Sequence, residues 1–261
     1  MTINCPFPCV RVAGLLLGCA ALILLSACAP LPPRNPIATW VPSKNYDIRK
    51  PQLIVLHFTD QDSVAQALNT LRTHNPGGPV SAHYLIGRDG HTYQLVSEVD
   101  RAWHAGGGRW GTITDVNSAS IGIELDNNGD EPFPPAQIAS LLRLLADITT
   151  RWDIPRAQII GHEDLAPARK DDPGPLFPWA TLAAHGFGLW PDPPATLVDP
   201  PPGFDPWMAL TAIGYPLDDP QAAVRAFHNH FRGIGGDTLD AEDMKILYNL
   251  VGKIEHGDTE K

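Results

Sequence analysis

The residues best suited to chemistry lie in the stretch 161–175, Gly-His-Glu-Asp-Leu-Ala-Pro-Ala-Arg-Lys-Asp-Asp-Pro-Gly-Pro. It offers an imidazole (His162), an ammonium group (Lys170) and several carboxylates, of which Asp172 stands ten positions after His162. Pro167, Pro173 and Pro175 prevent a long helix here, so the stretch reads as a rigid loop that folds His162 back towards Asp172. A neutral imidazole and a carboxylate are zinc ligands, and a catalytic zinc takes three protein ligands plus an open position for water. The third ligand must come from elsewhere, and His57 is the candidate. It closes the apolar run Leu53-Ile54-Val55-Leu56, at the C-terminal end of a strand, where α/β sheets place their sites. Two imidazoles and one carboxylate leave the ion electrophilic enough to activate a water against an amide or ester.

Such a reaction needs a proton carrier and a cation near the developing oxyanion. In the run Ile121-Gly122-Ile123-Glu124, strand alternation puts Glu124 on the face opposite the isoleucines, towards the site. Lys170 is the candidate cation. A surface salt bridge between Glu124 and Lys170 is the other reading. His104 sits in the aromatic, glycine-rich segment Trp103-His104-Ala105-Gly106-Gly107-Gly108, where it either lines a substrate cleft with Trp103 or packs. His83 is either a cleft residue or a structural histidine. Glu163, Asp164 and Asp171 are set aside as ligands: Asp164 suits a local cap and Asp171 faces solvent. The remaining histidines read as surface or core residues.

The elements that must position these groups follow in order. Residues 52–58 are a buried strand, and Ser63 caps a helix to 73. Residues 82–86 and 91–95 flank the turn Gly87-Arg88-Asp89-Gly90 as an antiparallel hairpin. Residues 120–125 form a strand, and Pro135 opens a helix to Trp152. A strand at 158–160 feeds the chemical loop, and a short helix runs over 179–185. This is an α/β pattern: a mixed central sheet with flanking helices. The proline-rich segment 189–205 reads as a semi-rigid linker to a small C-terminal three-helix domain at 206–254.

The N-terminus carries Arg11, then an apolar core to Leu25 that is too short to span a bilayer. The following Ser26-Ala27-Cys28 resembles the end of a bacterial lipoprotein signal (1–27), with Cys28 as the lipidated residue and 28–44 as a tether. Ala29 resembles the outer-membrane kind, so the expected location is lipid-anchored to the outer membrane and facing the periplasm. Cys5, Cys9 and Cys19 would be lost with the signal, leaving neither a disulfide framework nor a cysteine metal site. The chain holds 19 basic and 29 acidic residues, and the signal removes only Arg11. An acidic protein of this kind is a poor nucleic-acid binder and needs a lipid rather than basic residues to hold it at a membrane. A monomer is expected.

Six blocks occur in order: His57-Phe58-Thr59, Ser81-Ala82-His83-Tyr84-Leu85-Ile86, Ala102-Trp103-His104-Ala105-Gly106, Ile121-Gly122-Ile123-Glu124-Leu125, Gly161-His162-Glu163-Asp164, and Arg169-Lys170-Asp171-Asp172-Pro173-Gly174-Pro175 with Phe177-Pro178-Trp179. Together they resemble the type 2 zinc N-acetylmuramoyl-L-alanine amidases, the family that includes phage amidase lysozymes and peptidoglycan recognition proteins. The resemblance covers roughly residues 45–185, and the amidase domain is read as 45–188. It implies that His57, His162 and Asp172 bind Zn²⁺, that Glu124 shuttles protons and that Lys170 steadies the intermediate. It also implies peptidoglycan muropeptides as partners. Where the phage enzymes place a catalytic tyrosine before the second-strand histidine, this chain has Ala82, which shifts the base role to Glu124. The tail, with Ile213-Gly214-Tyr215 and Ala226-Phe227-His228-Asn229-His230-Phe231, resembles a helical peptidoglycan-binding module. The competing readings are a peptidoglycan sensor with a silent site and another zinc hydrolase of murein, such as a peptidase.

Overall fold

Apolar alternation dictates the centre of the molecule. The computed structural model describes residues 35–48, 51–75 and 77–257. Strands β1 (Thr39–Trp40) and β2 (Tyr46–Ile48) precede β3 (Leu53–Phe58), then α1 (Val64–Arg72), β4 (Tyr84–Ile86), β5 (Thr92–Gln94) and β6 (Asp100–Ala102). A single helical turn, α2 (Val116–Ala119), leads into β7 (Ser120–Leu125), the long helix α3 (Pro135–Trp152) and β8 (Ile159–Gly161). Then come α4 (His162–Leu165), α5 (Trp179–Ala184), α6 (Pro206–Ile213), α7 (Pro220–Arg232) and α8 (Ala241–His256).

Six strands form one sheet in the order β1-β5-β4-β7-β3-β8, and β2 pairs with β6 separately. The β4–β5 hairpin is antiparallel as expected, whereas β3, β7, β8 and β4 run parallel. The sheet is therefore mixed. The helix starts follow their caps: the Ser63 side chain accepts from the Gln66 amide, and Pro135 occupies the first turn of α3. The short strands β1, β2 and β6 escape a sequence reading because two or three residues carry no periodicity.

Alternation along β3 and β7 sorts the two faces of the sheet. Ile54, Leu56, Ile121 and Ile123 pack with Leu141, Leu145, Trp179 and Leu182 beneath α3 and α5. Leu53 and Val55 point the other way and join Leu165, Leu210, Phe227 and Leu247 in a cluster shared with α6, α7 and α8. The three tail helices thus share a core, and that core continues into the sheet. The physical reason is size, since about fifty residues bury little surface alone. The described residues form one compact unit. Farther along the sheet α1 packs Ala67 and Leu71 against Leu85 and Leu95. The second face is therefore covered at both flanks, and the cleft described next opens between them.

The proposed signal and Cys28 lie outside the described residues. Among the described residues, no helix is long and apolar enough to cross a membrane.

Candidate metal centre

In the parallel register of β3 and β7, His57 stands beside Glu124, so both side chains leave the same face of the sheet. Strand β8 pairs with β3 on its other side and delivers His162 as the first residue of α4. The chain then turns back. The Glu163 amide donates to the Asp172 carbonyl (2.8 Å), which brings the Asp172 carboxylate over His162. The Asp172–Pro173 peptide is cis.

Three donor atoms converge. His57 Nδ1 lies 2.9 Å from Asp172 Oδ2 and 3.0 Å from His162 Nδ1, and His162 Nδ1 lies 3.1 Å from the same Oδ2. All three side chains are buried, and they form the one His/Cys/Asp/Glu group among the described residues that could hold a metal ion. Donors about 2.0–2.1 Å from a tetrahedral ion stand about 3.3 Å apart, so this spacing fits such an ion after slight expansion.

The tautomers fit as well. His162 Nε2 donates to the Ala105 carbonyl (2.9 Å), which leaves Nδ1 with its lone pair. On the other ring, Ser120 Oγ donates its only hydrogen to the Val116 carbonyl (2.6 Å) and must accept from His104 Nε2 (3.1 Å). His104 Nδ1 then accepts from His57 Nε2 (3.0 Å), and His57 Nδ1 is left bare.

Electrostatics agree with a cation-seeking site. Burial, reinforced by the neighbouring His162, lowers the His57 pKa to about 4, against the opposing pull of Asp172. Burial pushes the Asp172 carboxyl up, but the hydrogen bonds to His162 and His57 outweigh it and hold the group well below the usual range. Glu124 is buried and its Oε2 has no hydrogen-bond partner among the described residues. Burial and then the Asp172 charge raise its pKa well above normal, with Lys170 pulling the other way. Burial sets aside the surface salt bridge: Glu124 is a carboxyl aimed into a cavity, with a half-buried cation nearby. That cavity, about 220 Å3, is lined by His57, His104, Glu124, His162, Lys170 and Asp172 on one side and by Ala67, Thr70 and Leu71 of α1 on the other.

Two expected cleft residues stand elsewhere. His83 is fully buried; its Nδ1 accepts from the Gly122 amide and its Nε2 donates to the Asp100 carbonyl, both at 3.0 Å. It is a clamp between backbone segments rather than a cleft residue. Trp103 is half-buried beneath the Arg101 guanidinium, 4.1 Å from its ring, and does not line the cavity. His104 does line it, held by Asn117 Oδ1, which accepts from the His104 and Ala105 amides.

The sequence reading missed Ser120, Asn117 and the Ala105 carbonyl as supports. One signal was available. Gly122 interrupts a run of β-formers, and a lone strand glycine marks close approach. A Cβ there would lie 2.4 Å from His104 Cγ. Glu163 and Asp164 are buried, unlike ordinary loop acids.

Comparison with known proteins agrees with this geometry. The family model described as N-acetylmuramoyl-L-alanine amidase matches residues 47–175. The N-acetylmuramoyl-L-alanine amidase AmiD of Escherichia coli K12 is 36% identical over 236 residues, covering 77% of this chain and 83% of that protein. The solved complex of E. coli AmiD with anhydro-N-acetylmuramic acid-L-Ala-D-gamma-Glu-L-Lys aligns with a TM-score of 0.68, covering 78% of this chain and 90% of that one. AmpDH3 from Pseudomonas aeruginosa aligns with a TM-score of 0.70 at 33% identity, covering 80% and 94%. With sequence and fold agreeing over most of the chain, it belongs to the N-acetylmuramoyl-L-alanine amidase family.

Proposed function

We propose that this protein is a zinc-dependent amidase. It hydrolyses the bond between the lactyl group of N-acetylmuramic acid, intact or anhydro, and the L-alanine of the stem peptide, in cell-wall turnover or recycling. The observation that carries this is the meeting of His57 Nδ1, His162 Nδ1 and Asp172 Oδ2 beside a buried Glu124 carboxylate with an unpartnered oxygen. His57, His162 and Asp172 would hold the Zn²⁺ ion, which would polarise the scissile carbonyl and lower the pKa of the attacking water. Glu124 takes a proton from that water as its oxygen attacks the carbonyl carbon. The raised pKa makes this carboxylate a stronger base than a free one. As the C–N bond breaks, Glu124 returns the proton to the leaving amine of L-alanine. Lys170 faces the developing negative oxygen. His104 orients His57 and stands on the cleft wall.

The same reading keeps Cys28 as a lipid anchor at the outer membrane, facing the periplasm, with 1–27 removed as signal and 28–44 as tether. It also keeps 45–188 as the amidase region and 206–254 as a segment holding murein, in a monomer. Processing that survives Cys28→Ala or globomycin would overturn the anchor. Digestion of muropeptides by purified protein, followed by mass analysis, tests the reaction. Free stem peptide is expected, lost with chelator and restored by Zn²⁺. Cleavage within the peptide would identify a peptidase instead, and binding without cleavage a sensor.

A further inference from the structure

The two acids beside His162 that resemble ordinary loop residues are the most enclosed carboxylates near the centre, with Glu163 1% and Asp164 0% exposed. Their partners come from the tail. Asp164 Oδ1 accepts from the Tyr215 hydroxyl (2.6 Å), and Oδ2 accepts from His230 Nδ1 (2.7 Å) and from the Gly161 amide (2.7 Å). Glu163 Oε2 accepts from Asn229 Nδ2 (2.7 Å), while its Oε1 accepts from the Gly174 amide (3.1 Å). The Glu163 amide meanwhile holds the Asp172 carbonyl. Each acid thus grips the backbone next to a ligand and is itself oriented by α7 or by the turn after α6. The His230 ring is in turn stacked on Trp179 at 3.7 Å.

We propose that the C-terminal helices are a positioning element of the metal centre: Tyr215 and Asn229 hold Asp164 and Glu163 so that His162 and Asp172 keep their separation. This rests on the metal-centre reading above. Buried carboxylates robbed of a donor turn to the nearest substitute. Here the nearest substitutes are the backbone amides that set the loop, so the ligand spacing would drift.

The test uses full-length protein with Tyr215→Phe and Asn229→Leu, singly and together. Leu250→Ala, in the core that α8 shares with Tyr215 but outside the hydrogen-bond network, serves as a destabilised control. Zinc affinity by chelator competition and the visible spectrum of the Co²⁺-loaded protein are the readouts. The double variant is expected to bind zinc about tenfold more weakly, each single variant less so, by analogy with outer contacts elsewhere. An altered cobalt spectrum should accompany the loss, and kcat on soluble muropeptide should fall more than KM rises. Leu250→Ala should lower the melting temperature but keep zinc affinity and spectrum. Unchanged affinity and spectrum in the double variant would overturn the proposal, as would an equal loss in Leu250→Ala. Loss of sedimentation with murein sacculi, with the centre unchanged, would leave the tail as an anchor only. A wild-type protein that takes up no zinc would instead sink the metal-centre reading itself.

Discussion

Replacing Gly122 by alanine adds one methyl group to the floor of the cleft, and the structure fixes where it must go. The new Cβ would sit 2.4 Å from His104 Cγ, 2.5 Å from Cδ2 and 2.6 Å from Nδ1. These atoms belong to the ring root, not to the tip of a flexible chain, so His104 cannot swing aside and keep its bonds. Asn117 holds its backbone, and Ser120 and His57 hold its two nitrogens. Overpacking of this kind costs about 1–3 kcal/mol. Stranding the buried His57 Nε2 adds about 1–3 kcal/mol more. Together about 2–6 kcal/mol is expected, a fall in melting temperature of about 4–24 °C for a domain of this size. The displaced His104 also frees the His57 tautomer, so zinc affinity should drop about 10–100-fold. Thermal unfolding by circular dichroism and zinc competition measure the two effects. Gly252→Ala gives the contrast: nothing lies within 4 Å of a Cβ there, and in the interior of α8 alanine should stabilise by about 0.5–1 kcal/mol. If Gly122→Ala melted like wild type and kept its zinc affinity, the assignment of His104 as the support of His57 would be refuted.

Three further outcomes follow from the same geometry. Glu124→Gln should cut kcat by about 10²–10⁴-fold while zinc binding persists; near-full turnover would end the proton-shuttle role. Ser120→Ala removes the acceptor that sets the His104 tautomer and should weaken zinc binding about tenfold without closing the cleft; equal affinity would show that the chain of donors is idle. In the chelator-treated protein, His57 titrates near 4 when folded and near its ordinary value when unfolded. The unfolded chain therefore binds the extra proton between those pH values, so this contribution to stability is full above about 6.5 and shrinks as pH falls towards 4. Measured against a His57→Gln variant, whose buried carboxyls titrate alike, a wild-type melting temperature that gained on acidification across that window would contradict it.

Much of this was open to the sequence because it is local. Alternation over 53–58 and 120–125 predicts two strands and the side of Glu124, and capping by Ser63 and Pro135 predicts two helix starts. The candidate triad was legible too, since a strand end, a post-strand loop and six ordered blocks single out His57, His162 and Asp172. Convergence was not, because His57 and Asp172 are separated by 115 residues and meet only through the register of β8 on β3. The same limit governed the supporting residues. His83 and His104 are two similar histidines in sequence, and only the placement of Gly122 between β3 and β4 makes one a backbone clamp and the other the partner of His57. Glu163 and Asp164 looked expendable because their partners, Asn229, Tyr215 and His230, lie more than fifty residues on, in helices that the sequence reads as a separate domain. Residue type and local pattern fix which atoms are able to bind or move a proton. Which of them stand within 3 Å of one another is decided by long-range packing, and that is a property of the whole fold.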